Sequence, residues 1–281
     1  MERQLPMVSG FPKVTINTQN INRKNFSWST DFIFSSNKEE ITELYNGKND
    51  DEGNKWFIGY PVRVFYDYKA DGIRQLEDKA ELDKWGGVFK PGDVKVVDKN
   101  GDYKITSADR FILGQVEPKF NLSLSNYLAA GRFDMSLFLT GSFGQTRKFE
   151  RNWSLNGRYN GARVNYWRIT GEDASGNPVS NQSNEAPRPN RDFENPNYID
   201  ALYYSEASFL RIGQVTLGYS LPTSVTSKLR ISKCRIYATV QNAYLFTNFP
   251  GIDPELGNQD DNRGFNEPIP RTCLLGLNLS F

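Results

Sequence analysis

The sequence contains no histidine. That absence removes the commonest general base, the Ser-His-Asp constellations and histidine-based zinc centres. Only two cysteines occur, Cys234 and Cys273, far apart and in no CxxC pair. They can define neither a disulfide framework nor a thiolate zinc site. No run approaches the roughly 20 consecutive apolar residues that a membrane-spanning helix needs. Excess charge is lacking too: 34 Lys and Arg stand against 33 Asp and Glu, a net of +1. Such a balance argues against a nucleic-acid partner. The opening Met1-Glu2-Arg3-Gln4-Leu5-Pro6 holds no apolar signal segment, so an exported protein carrying this chain is expected to start upstream. No P-loop, GxSxG or HExxH occurs. The acidic pair Asp253/Glu255 has no context for a glycosidase dyad, and no enzyme is expected.

What the sequence has is alternation. Phe26, Trp28, Thr30, Phe32 and Phe34 share one parity, and Ser27, Ser29, Asp31 and Ser35 the other. A period of two over about 10 residues is the length of a tilted barrel strand. The pattern recurs in Phe120–Leu128, Phe133–Phe143, Val215–Leu221, Ile236–Val240 and Cys273–Phe281, and begins weakly at Val14 and Ile16. The polar parity is mostly Ser, Asn, Thr, Gly and Gln rather than Lys and Glu. Small neutral polar groups suit a wet lumen while the apolar parity suits lipid. A soluble β-sandwich also alternates, so a calcium-binding carbohydrate-binding or adhesion sandwich is the alternative. The two differ in whether the apolar parity meets lipid or a second layer of the same molecule.

Short connections (20–25, 129–132, 222–233) alternate with long ones (37–119, 144–208, 248–270). Outer-membrane barrels have this asymmetry, with short periplasmic turns and long external loops. Counting directions back from Phe281 gives seven crossings, near residues 272, 236, 212, 134, 120, 28 and 14. An eighth at Tyr60–Tyr68 breaks the alternation, so that stretch and Val94–Val97 are expected outside the membrane. The fold class is therefore all-β, a transmembrane antiparallel β-barrel segment of about seven strands with long extracellular loops. Seven strands cannot close without leaving backbone groups unpaired in lipid, so they are expected to belong to a larger barrel.

Within 98–109 lies an EF-hand-type pattern. Asp98, Asn100 and Asp102 offer side-chain oxygens, Lys104 a carbonyl, Thr106 a water-mediated contact, and Asp109 closes the loop. These oxygens suit Ca2+. Tyr103 stands where glycine normally makes the turn, and Asp109 where the longer glutamate is usual. In the 144–208 connection, Trp153, Tyr159, Tyr166 and Trp167 lie amid Asn and Arg. They are candidates to stack on a ligand, with the connection's own core as the plainer account.

Four stretches carry a family resemblance: Asn25-Phe26-Ser27-Trp28; Gly92-Asp93-Val94-Lys95 leading into Asp98-Lys99-Asn100-Gly101-Asp102; Ser208-Phe209-Leu210-Arg211-Ile212 before Val215-Thr216-Leu217-Gly218-Tyr219; and Gly251-Ile252-Asp253-Pro254-Glu255 before Pro270-Arg271-Thr272. Together they resemble the C-terminal third of SusC/RagA-type TonB-linked outer-membrane transporters, across nearly the whole chain. The resemblance implies a 22-stranded plugged barrel in the bacterial outer membrane, in contact with outer-membrane lipid and with its plug outside this chain. It also implies a SusD-like surface lipoprotein, energy from TonB through the missing N-terminal region, and import of oligosaccharides or peptides. The last strand, with Leu277, Leu279 and Phe281, resembles the aromatic-ended outer-membrane assembly signal.

Overall fold

The computed structural model describes residues 7–45, 47, 49–151, 164–189, 197–255 and 269–281. The chain divides into two compact units. The first comprises residues 1–64, 115–147 and 205–281. It is built on one seven-stranded sheet of β1 (Lys13–Arg23), β2 (Phe26–Ser36), β3 (Phe120–Ala130), β4 (Phe133–Phe143), β5 (Phe209–Ser220), β6 (Lys233–Thr247) and β7 (Thr272–Ser280). Strands adjoin in chain order and every pairing is antiparallel. These are the seven crossings expected from alternation. The short connections come out tight: Lys24–Asn25 and Gly131–Arg132 are two-residue turns, the second using the left-handed φ of +60° at Gly131. The third carries a helical turn, Thr223–Thr226.

Register fixes which side chains share a face. Phe26, Ala130, Phe133, Tyr219 and Ile236 form one cross-strand row, and Trp28, Leu128, Met135, Leu217, Ala238 and Leu275 the next. On this apolar face Leu275 is 86% exposed, Phe133 65% and Leu277 62%. Among the described residues no second sheet covers them, as a sandwich requires. An exposed apolar face this wide marks a contact with a membrane or another protein surface. One polar row interrupts it. Thr30 and the Trp28 indole both donate to Asn126, at 2.8 and 2.9 Å, and Asn20 donates to Thr30 at 2.7 Å. Side chains that meet lipid must satisfy each other in this way.

The second unit, residues 65–114 and 148–204, holds short two-stranded pieces and two small cores. Ile73, Val94, Val96, Trp167, Ile199, Ala201 and Tyr203 form one, and Leu82, Trp85 and Phe89 the other. Val64–Tyr68 pairs with Arg110–Gln115 and Val94–Val96 with Ala70–Ile73, so both stretches stay out of the seven-stranded sheet, as expected. Arg74, fully buried, is held between the rings of Trp85 and Phe89 and donates to Glu81 at 3.1 Å.

Candidate functional site

The polar face of the sheet is the first candidate. Asp134 on β4 and Arg235 on β6 form an ion pair across β5. Gly218 lies between them and makes the pair possible: a Cβ there would sit 2.5 Å from the Asp134 carboxylate and 2.4 Å from Arg235 Nη2. The ring of Tyr237 crosses to β7, where a Cβ on Gly276 would lie 2.3 Å from the ring. The guanidinium of Arg235 stacks over that ring at 5.0 Å. Deeper along the strands, Thr216 and Thr239 hydroxyls lie 2.9 Å apart, and Gln214 donates to Thr216 at 3.2 Å. Such a surface offers mostly neutral donors and acceptors, and it suits hydrogen-bonding solutes.

Where β5 meets the 248–255 segment, Arg211 is buried at 6% exposure beside Asp253 at 4%. Its Nη2 lies 2.8 and 2.7 Å from the two Asp253 oxygens, and its Nε donates to Glu255 at 2.8 Å. The pair weighed as a catalytic dyad is thus a clamp on an arginine. Sequence reasoning missed the partner, although an Arg inside an otherwise uncharged strand and an acid-Pro-acid run were both visible.

The 98–109 loop folds on its own donors. Asp98 accepts from the amides of Gly101 and Tyr103, both at 2.8 Å, Asn100 from Asp102 at 3.0 Å, and Asp102 from Lys104 at 2.8 Å. Tyr103 takes the left-handed φ of +59° that a glycine would otherwise supply. Asp109 is fully buried and accepts from Lys99 and Thr106 amides at 3.0 and 2.7 Å. Burial works to raise its pKa, but these hydrogen bonds outweigh it and hold the carboxyl below its usual value. Among the described residues no three acidic side chains gather as metal ligands. A cation here requires Asp109 to give up its amide bonds.

Of the aromatic candidates, Trp167 is corrected from ligand contact to core. It is 5% exposed, packed in the cluster above, and its indole donates to Gln75 at 3.0 Å. Burying so large a ring stabilises the unit it sits in. Tyr166 packs partly buried against the same cluster. Trp153 and Tyr159 lie outside the described residues. Leu277 and Leu279 stand exposed on the apolar face of β7, and Phe281 just past it is 91% exposed.

No family profile matches the chain. It is 30% identical to the TonB-dependent receptor P3 of Formosa agariphila over 95% of its own length and 28% of that protein's. With the TonB-dependent receptor SusC of Bacteroides thetaiotaomicron it shares 28% identity, over 95% of its length and 26% of that protein's. Structures of the RagAB peptide transporter and of the RagAB peptide importer in its open-open state superpose with TM-scores of 0.69 and 0.68. Both do so at 20% identity, covering 98% of this chain and 29% of theirs. The chain therefore spans under a third of the relatives it matches. Bare apolar face, seven-strand meander and these likenesses agree: the chain is a β-barrel segment similar to the SusC/RagA-type TonB-dependent receptors, proteins of the bacterial outer membrane.

Proposed function

We propose that the chain forms part of a TonB-dependent importer that takes up oligosaccharides or peptides with a SusD-like surface lipoprotein. The long connections face outside and the short turns face the periplasm. The apolar face lies in lipid, the polar face borders the path, and TonB supplies energy through a segment beyond this chain. The observation that carries the reading is the pairing of a bare apolar face with a polar face of neutral hydrogen-bonding groups. Deleting the gene of the full-length protein should abolish uptake of one labelled class, oligosaccharide or peptide, as should deleting TonB. The lipoprotein should co-purify with the tagged barrel, and Phe281→Ala should lower the amount reaching the outer membrane. Undiminished uptake of both classes after deletion sinks the reading.

Calcium is proposed as a ligand of the 98–109 loop, through oxygens of Asp98, Asn100, Asp102, Thr106 and Asp109 and the Lys104 carbonyl. In support, Asp98, Asn100 and Asp102 are solvent-accessible and each acceptor oxygen keeps a lone pair. Because binding must break the Asp109 amide bonds, affinity should be weak, on the order of 10⁻⁴–10⁻³ M as in extracellular modules. Calorimetry of the full-length protein should give saturable heat that Asp98→Ala with Asp102→Ala removes. Absence of heat at millimolar calcium ends the proposal.

A further inference from the structure

The short connections are charged with one sign only. Arg23, Lys24, Arg132, Lys228, Arg230 and Lys233 all lie at or in the three short turns, and these turns contain no acidic residue. The six exceed the whole chain's net charge of +1. All six are exposed, and among the described residues none is in an ion pair. Asp134, the acidic residue two positions past Arg132, is already taken by Arg235.

Next to this basic rim in the register lies an apolar groove of about 460 Å³. Phe26, Ala130, Phe133, Leu217, Ile236 and Leu275 are among its walls. Arg23 is the cross-strand partner of Phe26 and so shares its face. Arg132 immediately precedes Phe133, whose partners are Ala130 and Tyr219. The groove thus opens in the last rows of the apolar face before the turns. Lipid-facing grooves close to a rim of fixed positive charge match one ligand geometry: an acyl chain lying along the sheet under a phosphate headgroup. Cations beside a membrane surface attract anionic lipid, and the attraction weakens with salt.

We propose that the short-turn rim and this groove bind an anionic phospholipid of the leaflet facing the short turns. The acyl chain lies across Phe133, Leu217 and Ile236, and the phosphate is held by Arg23, Lys24 and Arg132, with Lys228, Arg230 and Lys233 extending the field. The orientation rests on the proposed function, but the binding is read without transport.

The test exchanges the full-length protein into micelles of equimolar phosphatidylglycerol and phosphatidylcholine, captures it, and quantifies retained lipid by mass spectrometry. Phosphatidylglycerol should be retained over phosphatidylcholine by about tenfold or more, a preference set by charge. Replacing all six cations with glutamine should bring the two to parity. Since the six side chains are exposed, folding should survive. Should that variant fail to fold, the wild-type preference must still collapse at raised salt. Equal retention by the wild type, or a preference unmoved by salt, overturns the proposal. Lipid A displacing phosphatidylglycerol overturns it as well, by assigning the rim to the other leaflet. A protein that imports nothing yet retains phosphatidylglycerol refutes the transport reading and leaves this one standing.

Discussion

Replacing Leu275 with arginine is expected to lower the stability of the full-length barrel in phospholipid vesicles by about 2–4 kcal/mol, the range for a cation at the bilayer midplane. Leu275 sits near the middle of β7 and is 86% exposed on the apolar face. Its cross-strand partner on β6 is Ala238, which has no charge to neutralise the new one. Water cannot reach it either, unless the side chain snorkels or the bilayer thins. Gln241→Lys is the control. Gln241 is exposed on β6, three residues along the strand from Ala238, and register puts it on the opposite face, paired with Gln214 and Thr272. A charge there meets the wet side and should change stability by under about 0.5 kcal/mol, as for ordinary surface substitutions. Guanidinium midpoints measured from vesicles compare the two. Equal, small losses mean that the apolar face does not contact hydrocarbon, and the placement of the sheet falls with it.

Much of this sheet was legible because a strand's side-chain period is two and one face meets lipid. Burial needs no knowledge of the partner strand, so Phe26, Trp28, Phe32 and Phe34 announce their face from sequence alone. Strand order followed from the contrast of short and long connections. What escaped were events that break the period. At β5 the chain has Leu210 and Ile212 on the apolar face in one phase, and Val215 and Leu217 in the other. The register slips by one residue at Gly213, and this bulge restores the face. A Cβ at Gly213 would meet the Phe138 ring at 2.9 Å, a close approach that no periodicity predicts. The same holds of Asn20 in β1, an extra residue between partners Gln19 and Ile21. Its polar side chain joins the Thr30–Asn126 row, so a polar patch on the apolar face could not be read from parity.

The site was less legible than the sheet because long connections obey no period. Trp167 and the candidate ligand aromatics share one composition, and only packing separates a core ring from a stacking platform. Charges behave likewise. Asp253 and Asp109 look alike in sequence, yet one clamps an arginine and the other caps amides. Each is identified by a partner far away in the chain or by the turn it closes. The basic rim was the exception: its residues were visible from the start, but their meaning required the groove beside them.

Asp253→Ala is expected to destabilise the region where β5 meets the 248–255 segment by about 3 kcal/mol, the low end for breaking a buried pair. Arg211 cannot escape to water, since its side chain is 7% exposed. Losing Asp253 takes both of its carboxylate oxygens away from Nη2 and leaves Glu255 Oε2, 2.6 Å from Nη2, as the acidic partner of a still buried charge. Glu255 still accepts from Nε, which keeps the loss from rising further. Glu255→Ala should cost much less, under about 1 kcal/mol, because that carboxylate is 41% exposed and water replaces it. Arg211→Met combined with Asp253→Leu should recover most of the stability, since apolar groups of similar volume leave no charge to desolvate. Limited proteolysis in the 248–255 segment, read beside denaturant midpoints, follows the clamp itself. Under the clamp mechanism Asp253→Ala exposes this segment to cleavage and the apolar double variant protects it again. If the two single acid variants behave alike, or the double variant is worse than either, Arg211 is not held by burial and pairing, and the segment must be anchored by the buried Pro254 and Phe249 instead.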